Sequence, residues 1–333
     1  MKKNKKTLFF IFILIFHGLF ITNISRAQKE PSFLATLKNQ AEKGDADAQF
    51  ELGEIYRQGN EVKQDYKLAA YWYQQAAKLG LANADYNLGV LYANGQGVPQ
   101  NYTDAAAFYL KAANKDFNDA QSNLGILYAK GHGVPQDYSK AIFWLKKAAE
   151  SGLISAQTNL ALVYQQMNNV DEAIKWYKMA ADKGERIAQY YLGYNYYEGL
   201  GVKQDHKKAI QWYEKSAAQN FSKAQSALGI LYLNGSAEIN IDRQKAIILL
   251  EKSACQGNPI AQYNLAMTYY YGDKHISRDF VKAYAWFSVS SKNGISQGAE
   301  LREKVRKKLT IHQYIDAKIL SEEYIKKYPY KEN

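Results

Sequence analysis

Cysteine is almost absent from this chain of 333 residues, and Cys255 is the single example. One thiol cannot close an intrachain disulfide, so the fold must be held by packing rather than by covalent staples. Cys255 lies near the end of a helical pattern whose counterparts carry small residues, so we expect it to be a small buried thiol. Histidine is also scarce, and no histidine after residue 27 has a second His, Cys or Glu at metal-ligand spacing. The sequence therefore predicts no metal site and no cofactor.

Catalytic motifs are missing as well. The chain contains no phosphate-binding loop, no nucleophile elbow and no recurring pair of carboxylates directed at a common centre. Asp and Glu fall mainly where helix caps and outer helix faces are expected. We therefore do not expect an enzyme.

Long hydrophobic runs are limited to Leu8–Ile21, which His17 and Gly18 interrupt. This run is shorter than the roughly 18–20 apolar residues that span a bilayer. Lysines precede it at positions 2, 3, 5 and 6, and Ser25-Arg26-Ala27 has the small-x-small form of a cleavage site. The sequence predicts a cleaved signal peptide over 1–27, a periplasmic or secreted protein and no membrane span after cleavage.

Positive charge is in moderate excess. Removal of residues 1–27 takes away five basic residues and no acidic one, which lowers the formal net charge from +11 to +6. The remaining charges are spread over predicted outer helix faces, so no nucleic-acid partner is expected. The densest basic stretch, 302–308, is interleaved with Glu300 and Glu303, and we interpret it as a solvated cap helix, with an anionic-partner patch as the alternative.

A repeated segment fills most of the chain. Its anchor alanine recurs at intervals of 32 to 38 residues, a period typical of solenoids built from stacked supersecondary units. We number the repeats 1 to 7 by these anchors, which are Ala48, Ala84, Ala120, Ala156, Ala188, Ala224 and Ala261, and an eighth equivalent alanine is Ala299.

Each repeat contains two helical patterns separated by a turn. In repeat 3, apolar residues at helical spacing occupy 120–129 and again 138–150. Gly131 suits the left-handed residue that ends a helix, and Asp137 is a natural N-cap for the next one. The repeat is therefore predicted to be a helix-turn-helix hairpin, and the fold class an all-α solenoid.

Five further positions recur within the repeats. A tyrosine always stands eight residues after the anchor, and a glycine or alanine stands five residues after it. Glycine inside a helix costs about 1 kcal/mol relative to alanine, so its return indicates that two helices approach closely there. The second helix repeats an alanine, then a slot that holds all five tryptophans, and finally a glycine that Asp116 and Asn220 replace in repeats 2 and 5. Asp and Asn tolerate the left-handed conformation better than most residues.

The recurring string Ala-x-x-x-Leu-Gly-x-x-Tyr, Gly-x-Gly-Val, Asp, Ala-x-x-Trp and Ala-Ala-x-x-Gly resembles the Sel-one-like repeat, a relative of the tetratricopeptide repeat. The resemblance covers residues 37–300 approximately, and the chain is similar to secreted bacterial members of the family that lack paired cysteines. The resemblance implies a right-handed superhelical α-solenoid whose first helices line the inner surface. Repeat 4 departs by lacking four turn residues, which brings its turn close to tetratricopeptide length, and repeat 6 carries an altered turn over 236–240.

The two ends of the array are predicted to be caps. We expect 28–47 to be an N-terminal capping half-repeat, 48–298 to hold the seven repeats and 299–333 to form capping helices and a tail. Thr310 is a natural N-cap for the last helix, which Pro329 ends.

Tyrosines are concentrated at the predicted inner positions of repeats 5 and 7. Side chains two, six, nine and ten residues after the anchor should face the groove of a tetratricopeptide-like fold. Tyrosine offers rigid apolar area with a polar tip, as in binding hot spots. The candidate partner-binding residues are Tyr190, Tyr194, Tyr197, Tyr263, Tyr270 and Tyr271. The alternative is that some of them pack against neighbouring repeats.

Two classes of function follow. The resemblance implies a noncatalytic scaffold in the envelope or outside the cell, which binds a peptide or protein segment in its concave groove and serves envelope maintenance, signalling or host interaction, including virulence. The alternative is a regulator of a cell-wall hydrolase, or a weak cell-wall or beta-lactam hydrolase. Neither the identity of the partner nor the oligomeric state follows from the sequence.

Overall fold

The computed structural model of the protein describes residues 33–60, 62–235, 239–274 and 276–330. The predicted signal peptide, 1–27, lies outside the described residues. Within these ranges the chain forms seventeen α-helices and no β-strand. The helices are α1 at 33–42, α2 Ala46–Gln58, α3 Tyr66–Lys78, α4 Ala82–Asn94, α5 Tyr102–Ala113, α6 Asn118–Lys130, α7 Tyr138–Glu150, α8 Ile154–Gln166, α9 Val170–Asp182, α10 Arg186–Glu198, α11 His206–Ala218, α12 Ser222–Asn234, α13 Arg243–Cys255, α14 Pro259–Tyr271, α15 Phe280–Lys292, α16 Gln297–Arg306 and α17 Ile311–Lys327.

The seven predicted hairpins are the pairs from α2/α3 to α14/α15, which confirms the all-α solenoid. Within each hairpin the two helices pack along their length. The chain divides into two compact units, which end and begin at Ser151 and Gly152. The predicted right-handed superhelix remains a prediction.

The hairpin turn follows from its caps. In repeat 3, Gly131 ends α6 in the left-handed conformation, with φ 69°, and the Asp137 side chain accepts a hydrogen bond from the Lys140 amide at 2.9 Å. The Asp137 amide in turn donates to the Tyr128 carbonyl oxygen at 3.0 Å. The equivalent N-cap amide donates to the carbonyl of the recurring tyrosine in all seven repeats. This bond explains how the turn is closed.

The recurring glycine marks a close helix–helix contact, as predicted. A Cβ atom on Gly89 would lie 2.5 Å from the ring of Tyr109, which projects from the second helix of the same hairpin. Gly193 stands in the same relation to Tyr213, at 2.8 Å. The large side chain in this slot is almost fully buried in every repeat. The slot contains Tyr73, Tyr109, Leu145, Tyr177, Tyr213, Leu250 and Phe287.

Neighbouring hairpins are joined by a buried amide clamp. The residue after the anchor alanine is glutamine in six repeats and Asp85 in repeat 2. In repeat 6, the Gln225 amide nitrogen donates to the Ala217 carbonyl of the preceding helix, and its oxygen accepts a hydrogen bond from Gln256 at 2.7 Å. In repeat 2, Lys115 takes the place of Gln256 and forms an ion pair with Asp85 at 3.0 Å. Such a residue pair fastens the end of the second helix in repeats 2, 5, 6 and 7.

The near-terminal glycine slot is confirmed as a left-handed position. Its glycines have φ between 88° and 110°, and the replacements Asp116 and Asn220 have φ of 57° and 59°. The shortened turn of repeat 4 also has a left-handed residue, Asn168, with φ 60°. In repeats 6 and 7 the helix-ending glycines depart from those of the other repeats, with ψ of −177° at Gly235 and 178° at Gly272.

The tryptophans are covered, as a packing role requires. Trp144, Trp176 and Trp286 are buried, while Trp72 and Trp212 are half-buried. A burial of this kind removes about 150–250 Å² of aromatic surface from water.

The prediction that Cys255 is buried is wrong, because its side chain is exposed. Counted from the near-terminal glycine, its counterparts are Lys78, Glu150, Asp182 and Lys292, all exposed. The small buried residue of this turn is Ala254, one position earlier. The error is therefore one residue of helix register, which amounts to about 100° around the axis.

The chain ends with elements outside the regular repeats. In α1, Leu37 and Ala41 pack with Leu52 of the first hairpin. At the other end, α16 and α17 both pack on α15. Thr310 caps α17 in a full capping box with Gln313, as predicted. None of the helices in the described ranges combines the length and apolarity needed to cross a bilayer.

Candidate functional site

The helix α10 presents three of the predicted tyrosines along one face. Tyr190, Tyr194 and Tyr197 are spaced by four and three residues, which aligns side chains on an α-helix. Helix α12 presents Ser226 and Ile230 at the corresponding positions of the next repeat. The register of the repeat therefore brings these two first helices to the walls of one cavity.

This cavity has a volume of about 450 Å³, and we call it the tyrosine cavity. Six of its lining residues are tyrosines, and the others are mainly aliphatic. Its lining residues are Tyr190, Tyr191, Tyr194, Tyr197, Glu198, Tyr213, Lys223, Ser226, Ala227, Ile230, Leu231, Asn258, Pro259, Ile260 and Tyr330. The volume is within the range of about 300–1,000 Å³ that is typical of ligand sites.

Burial dominates the electrostatics of the tyrosine cavity. Burial, together with the neighbouring Tyr191 and Tyr194, raises the pKa of Tyr190 to about 12. Burial, followed by Tyr190 and the Glu198 carboxylate, raises the pKa of Tyr213 above its ordinary value of 10.0. These phenols therefore stay protonated at neutral pH, where each can both donate and accept a hydrogen bond.

Tyr330 reaches the cavity because the end of the chain folds back on repeat 7. The Tyr330 amide donates to the side-chain oxygen of Asn293 at 3.0 Å, and the Gln262 amide donates to the Tyr328 carbonyl at 3.2 Å. Gly257 leaves room for this segment, because a Cβ atom there would collide with the carbonyl oxygen of Pro329. The C-terminal segment is therefore part of the wall.

A second cavity, of about 430 Å³, lies beside repeats 6 and 7. Tyr263 and Tyr271 line it, together with Met267 and the ion pair between Arg243 and Asp273. Tyr271 is the most accessible of the six predicted tyrosines, at 59% exposed, and the other five are half-buried.

Tyr270 lines neither of these cavities. Its ring lies 5.0 Å from that of Tyr271 and 5.9 Å from that of Phe280, and the Lys308 ammonium lies 5.9 Å from its centre. The six predicted residues are therefore divided between two cavities and one packing contact.

Repeat 1 has polar groups at the corresponding inner positions. Glu54 pairs with Arg57 at 2.6 Å and accepts hydrogen bonds from Asn87, at 2.8 Å, and from the Tyr73 hydroxyl. Although burial raises the pKa of Glu54, the hydrogen bonds from Arg57, Tyr73 and Gln58 outweigh it and hold the pKa below its ordinary value of 4.5. This cluster is a self-contained network.

No group of three His, Cys, Asp or Glu side chains in the described part of the chain is arranged to hold a metal ion. The tyrosine cavity itself contains one carboxylate, Glu198, and one ammonium, Lys223. Its chemistry is that of recognition, through ring faces, hydroxyl groups and two charges.

The Sel1 repeat family matches residues 46–81, 82–117, 118–153, 186–221, 222–258 and 259–295. These matches cover well over half of the chain. The chain belongs to the Sel1 repeat family. The tetratricopeptide repeat matches 157–188, where repeat 4 has its shortened turn, in agreement with the prediction for that turn.

The first of three solved structures supports this assignment. A Sel1 repeat protein from Oxalobacter formigenes is 30% identical and has a TM-score of 0.62, over 71% of this chain and 95% of that one. The protein c5321, a protective antigen in uropathogenic Escherichia coli strains with an SLR fold, is 28% identical with a TM-score of 0.38, over 89% and 95% of the two chains. Yeast Tom70 is 17% identical with a TM-score of 0.50, over 90% of this chain and 62% of that one. No curated protein matches this chain.

Sel1 and tetratricopeptide-like repeat proteins are generally noncatalytic scaffolds for protein interactions. In this Sel1 repeat protein, sequence reasoning found Tyr190, Tyr194 and Tyr197 and missed the other lining residues, among them Glu198, Tyr213, Lys223, Ser226 and Tyr330. The signal for Tyr213 was present, because it occupies the recurring large slot of the second helix. Tyr330 had no signal, because it lies beyond the last repeat.

Proposed function

We propose that this Sel1 repeat protein is a noncatalytic scaffold that binds a peptide or protein segment along its inner helices. The tyrosine cavity carries the proposal, because six tyrosines and several aliphatic side chains meet around about 450 Å³. Rigid aromatic side chains in a partly desolvated pocket are the usual anchors of protein interfaces. The six tyrosines named from the sequence, with Tyr213 and Tyr330, form the proposed contact surface.

The shape of the site favours a segment rather than a flat protein surface. The lining side chains come mainly from α10 and α12, and the rest are Tyr213 of α11, residues at the start of α14 and Tyr330 of the C-terminal segment. An extended chain laid across these helices would bury side chains between the tyrosine rings and bring its backbone groups to the hydroxyls.

Affinity capture from extract of the producing cells tests this proposal. The comparison is between the wild type, a Tyr194→Ala/Tyr197→Ala variant and a Tyr71→Ala/Phe143→Ala control on exposed second-helix positions. Captured proteins are identified by mass spectrometry, and their binding segments are mapped by titration of overlapping peptides. The proposal predicts a partner that the control retains and the cavity variant loses. A partner set that is the same for both variants would refute it.

We further propose export to the envelope or beyond the cell, with a role in envelope maintenance or host interaction. The basic residues 2–6, the apolar run 8–21 and the Ser25-Arg26-Ala27 sequence support this location. Fractionation followed by N-terminal sequencing tests it. The expected product lies outside the cytoplasm and begins at Gln28, whereas an uncleaved cytoplasmic chain would contradict the proposal.

The proposed division of the chain keeps the boundaries drawn from the sequence: signal peptide 1–27, half-repeat cap 28–47, seven repeats 48–298, and capping helices with a tail 299–333. Limited proteolysis tests it, since resistant fragments should begin and end near these boundaries.

A further inference from the structure

One buried hydroxyl group of the tyrosine cavity has no hydrogen-bond partner in the described part of the protein. It belongs to Ser226, which is 4% exposed, and the buried phenol Tyr213, 2% exposed, lines the same cavity. A buried polar group without a partner costs about 1–3 kcal/mol, and such groups are rare unless a ligand or water completes them. Ser226 lines the cavity, so its hydroxyl indicates where a bound group would be held.

Repeat 1 shows how the chain itself completes the same position. Tyr73 stands four residues after the second-helix alanine, as Tyr213 does in repeat 5. The Tyr73 hydroxyl donates to Glu54, and the Arg57 guanidinium pairs with the same carboxylate at 2.6 and 3.1 Å. The buried phenol, the carboxylate and the guanidinium therefore form one satisfied cluster.

Repeat 5 has the phenol and the carboxylate but no guanidinium. Tyr194 and Tyr197 occupy the positions that Glu54 and Arg57 occupy in repeat 1, and the carboxylate lies four residues, about one helical turn, further along at Glu198. The Glu198 side chain is exposed and forms no ion pair with any residue in the described ranges, and its charge acts on Tyr213. The cavity thus offers a carboxylate, phenol hydroxyls and aromatic ring faces.

One basic residue, Lys223, also lines the cavity. It lies in the first turn of α12, is exposed to solvent and forms no ion pair with Glu198. Lysine is strongly hydrated, so an exposed lysine keeps its charge in water rather than among the rings. It should nevertheless repel a bound cation, and this repulsion provides a second test of the sign of the ligand charge.

We propose that the tyrosine cavity binds an arginine side chain of the partner, with the guanidinium on the tyrosine rings and its N–H groups donating to Glu198, Tyr213 and Ser226. The inference rests on the proposed binding function and adds the chemistry of the bound residue. A guanidinium is planar, carries five donors and no acceptor, and stacks on aromatic faces. The chain makes comparable contacts internally, since the Lys245 ammonium lies 4.3 Å from the centre of the Tyr232 ring.

The test is a calorimetric titration of the full chain with two capped heptapeptides. Both contain glycine and serine around one central residue, which is arginine in the first and its neutral isostere citrulline in the second. Loss of one charge-assisted interaction corresponds to about a tenfold change in Kd, so the arginine peptide should bind at least tenfold more tightly. Equal binding of the two peptides, or no binding of the arginine peptide at millimolar concentration, would overturn the inference.

Variants assign the effect to the cavity. Glu198→Gln should weaken the arginine peptide about tenfold, Tyr213→Phe should weaken it several-fold, and Lys223→Gln should strengthen it. The control Glu322→Gln changes an exposed carboxylate of α17 outside the cavity and should leave the affinity unchanged. A Glu198→Gln variant with wild-type affinity would overturn the inference.

The captured partner separates this inference from the proposed function. If its mapped segment depends on Tyr194 and Tyr197 but tolerates replacement of every arginine by citrulline, binding in the cavity stands and the arginine assignment falls. If that segment is insensitive to the cavity tyrosines as well, both proposals fall.

Discussion

The ion pair of repeat 2 offers a sharp test of how the hairpins are joined. Asp85 occupies the clamp position that glutamine occupies in the other six repeats, and Lys115 donates to it at 3.0 Å and to the Gly80 carbonyl at 2.8 Å. In repeat 6 the same two positions are Gln225 and Gln256, joined at 2.7 Å. The chain therefore contains both the charged and the neutral version of one contact.

The single substitutions should differ in cost. The Asp85 carboxylate is 3% exposed and the Lys115 ammonium is 41% exposed. Lys115→Gln leaves the carboxylate buried without its cation. Breaking a buried ion pair in this way usually lowers the free energy of unfolding by about 3–5 kcal/mol, and because solvent screens the exposed lysine we expect about 1–3 kcal/mol here. Asp85→Gln should cost less than about 1 kcal/mol, because Lys115 can still donate to an amide oxygen and its charge remains in contact with water.

The double variant Asp85→Gln/Lys115→Gln should recover most of the loss, since it reproduces the glutamine pair of repeat 6. We expect its free energy of unfolding to lie within about 1 kcal/mol of the wild type, with a coupling energy of about 1–3 kcal/mol in the double-mutant cycle. Urea unfolding followed by circular dichroism gives the four values. A double variant as unstable as Lys115→Gln alone would show that the two positions are not a pairing site.

Three further predictions concern packing, ionisation and capping. Gly89→Val should lower the free energy of unfolding by about 1–3 kcal/mol, because a Cβ atom there meets the Tyr109 ring at 2.5 Å; an unchanged urea midpoint would contradict the close contact. Burial raises the pKa of Tyr190 from 10.0 to about 12, so its contribution to stability is complete below pH 10 and is lost between pH 10 and 12. Tyr190→Phe should therefore flatten the stability profile in that window, and a profile as steep as the wild type would refute this. Thr310→Ala removes the capping box and should cost about 1 kcal/mol, seen as faster hydrogen exchange in α17; unaltered exchange would argue against the cap.

The helical hairpins could be predicted because the repeat displays the same chemistry seven times. Gly131 and Asp137 mark a turn by their conformational preferences alone, and the structure places a left-handed residue and an N-cap there. Asp116 and Asn220 could likewise be assigned to left-handed positions, since few other residues accept that geometry. Local backbone preferences were therefore sufficient to predict most of the fold.

Contacts between hairpins were harder to predict. The recurring glutamine after the anchor was visible in the sequence, but its partner lies about 30 residues later and changes from Gln256 to Lys115 between repeats. Cys255 was misplaced because one residue of register separates the buried and exposed sides of a helix. Such errors arise where side-chain direction, rather than backbone preference, decides the outcome.

The candidate site was predictable in part for the same reason. Helical register brings Tyr190, Tyr194 and Tyr197 to one face, and the structure places all three around one cavity. Helical register could not indicate that Tyr270 packs against Phe280, or that the C-terminal segment folds back and brings Tyr330 into the wall of the cavity. The first contact depends on side-chain direction within repeat 7, and the second depends on a segment beyond the last repeat.

Site-specific photo-crosslinking tests the central claim of a partner held on the inner helices most directly. Benzoylphenylalanine would replace Tyr194 in the tyrosine cavity or, as the control, Gln211, which is exposed on the second helix of the same repeat. The account predicts a covalent adduct with one partner protein from position 194 and none from position 211 after irradiation in the producing cells. An adduct from position 211 alone, or equal labelling from both, would contradict it.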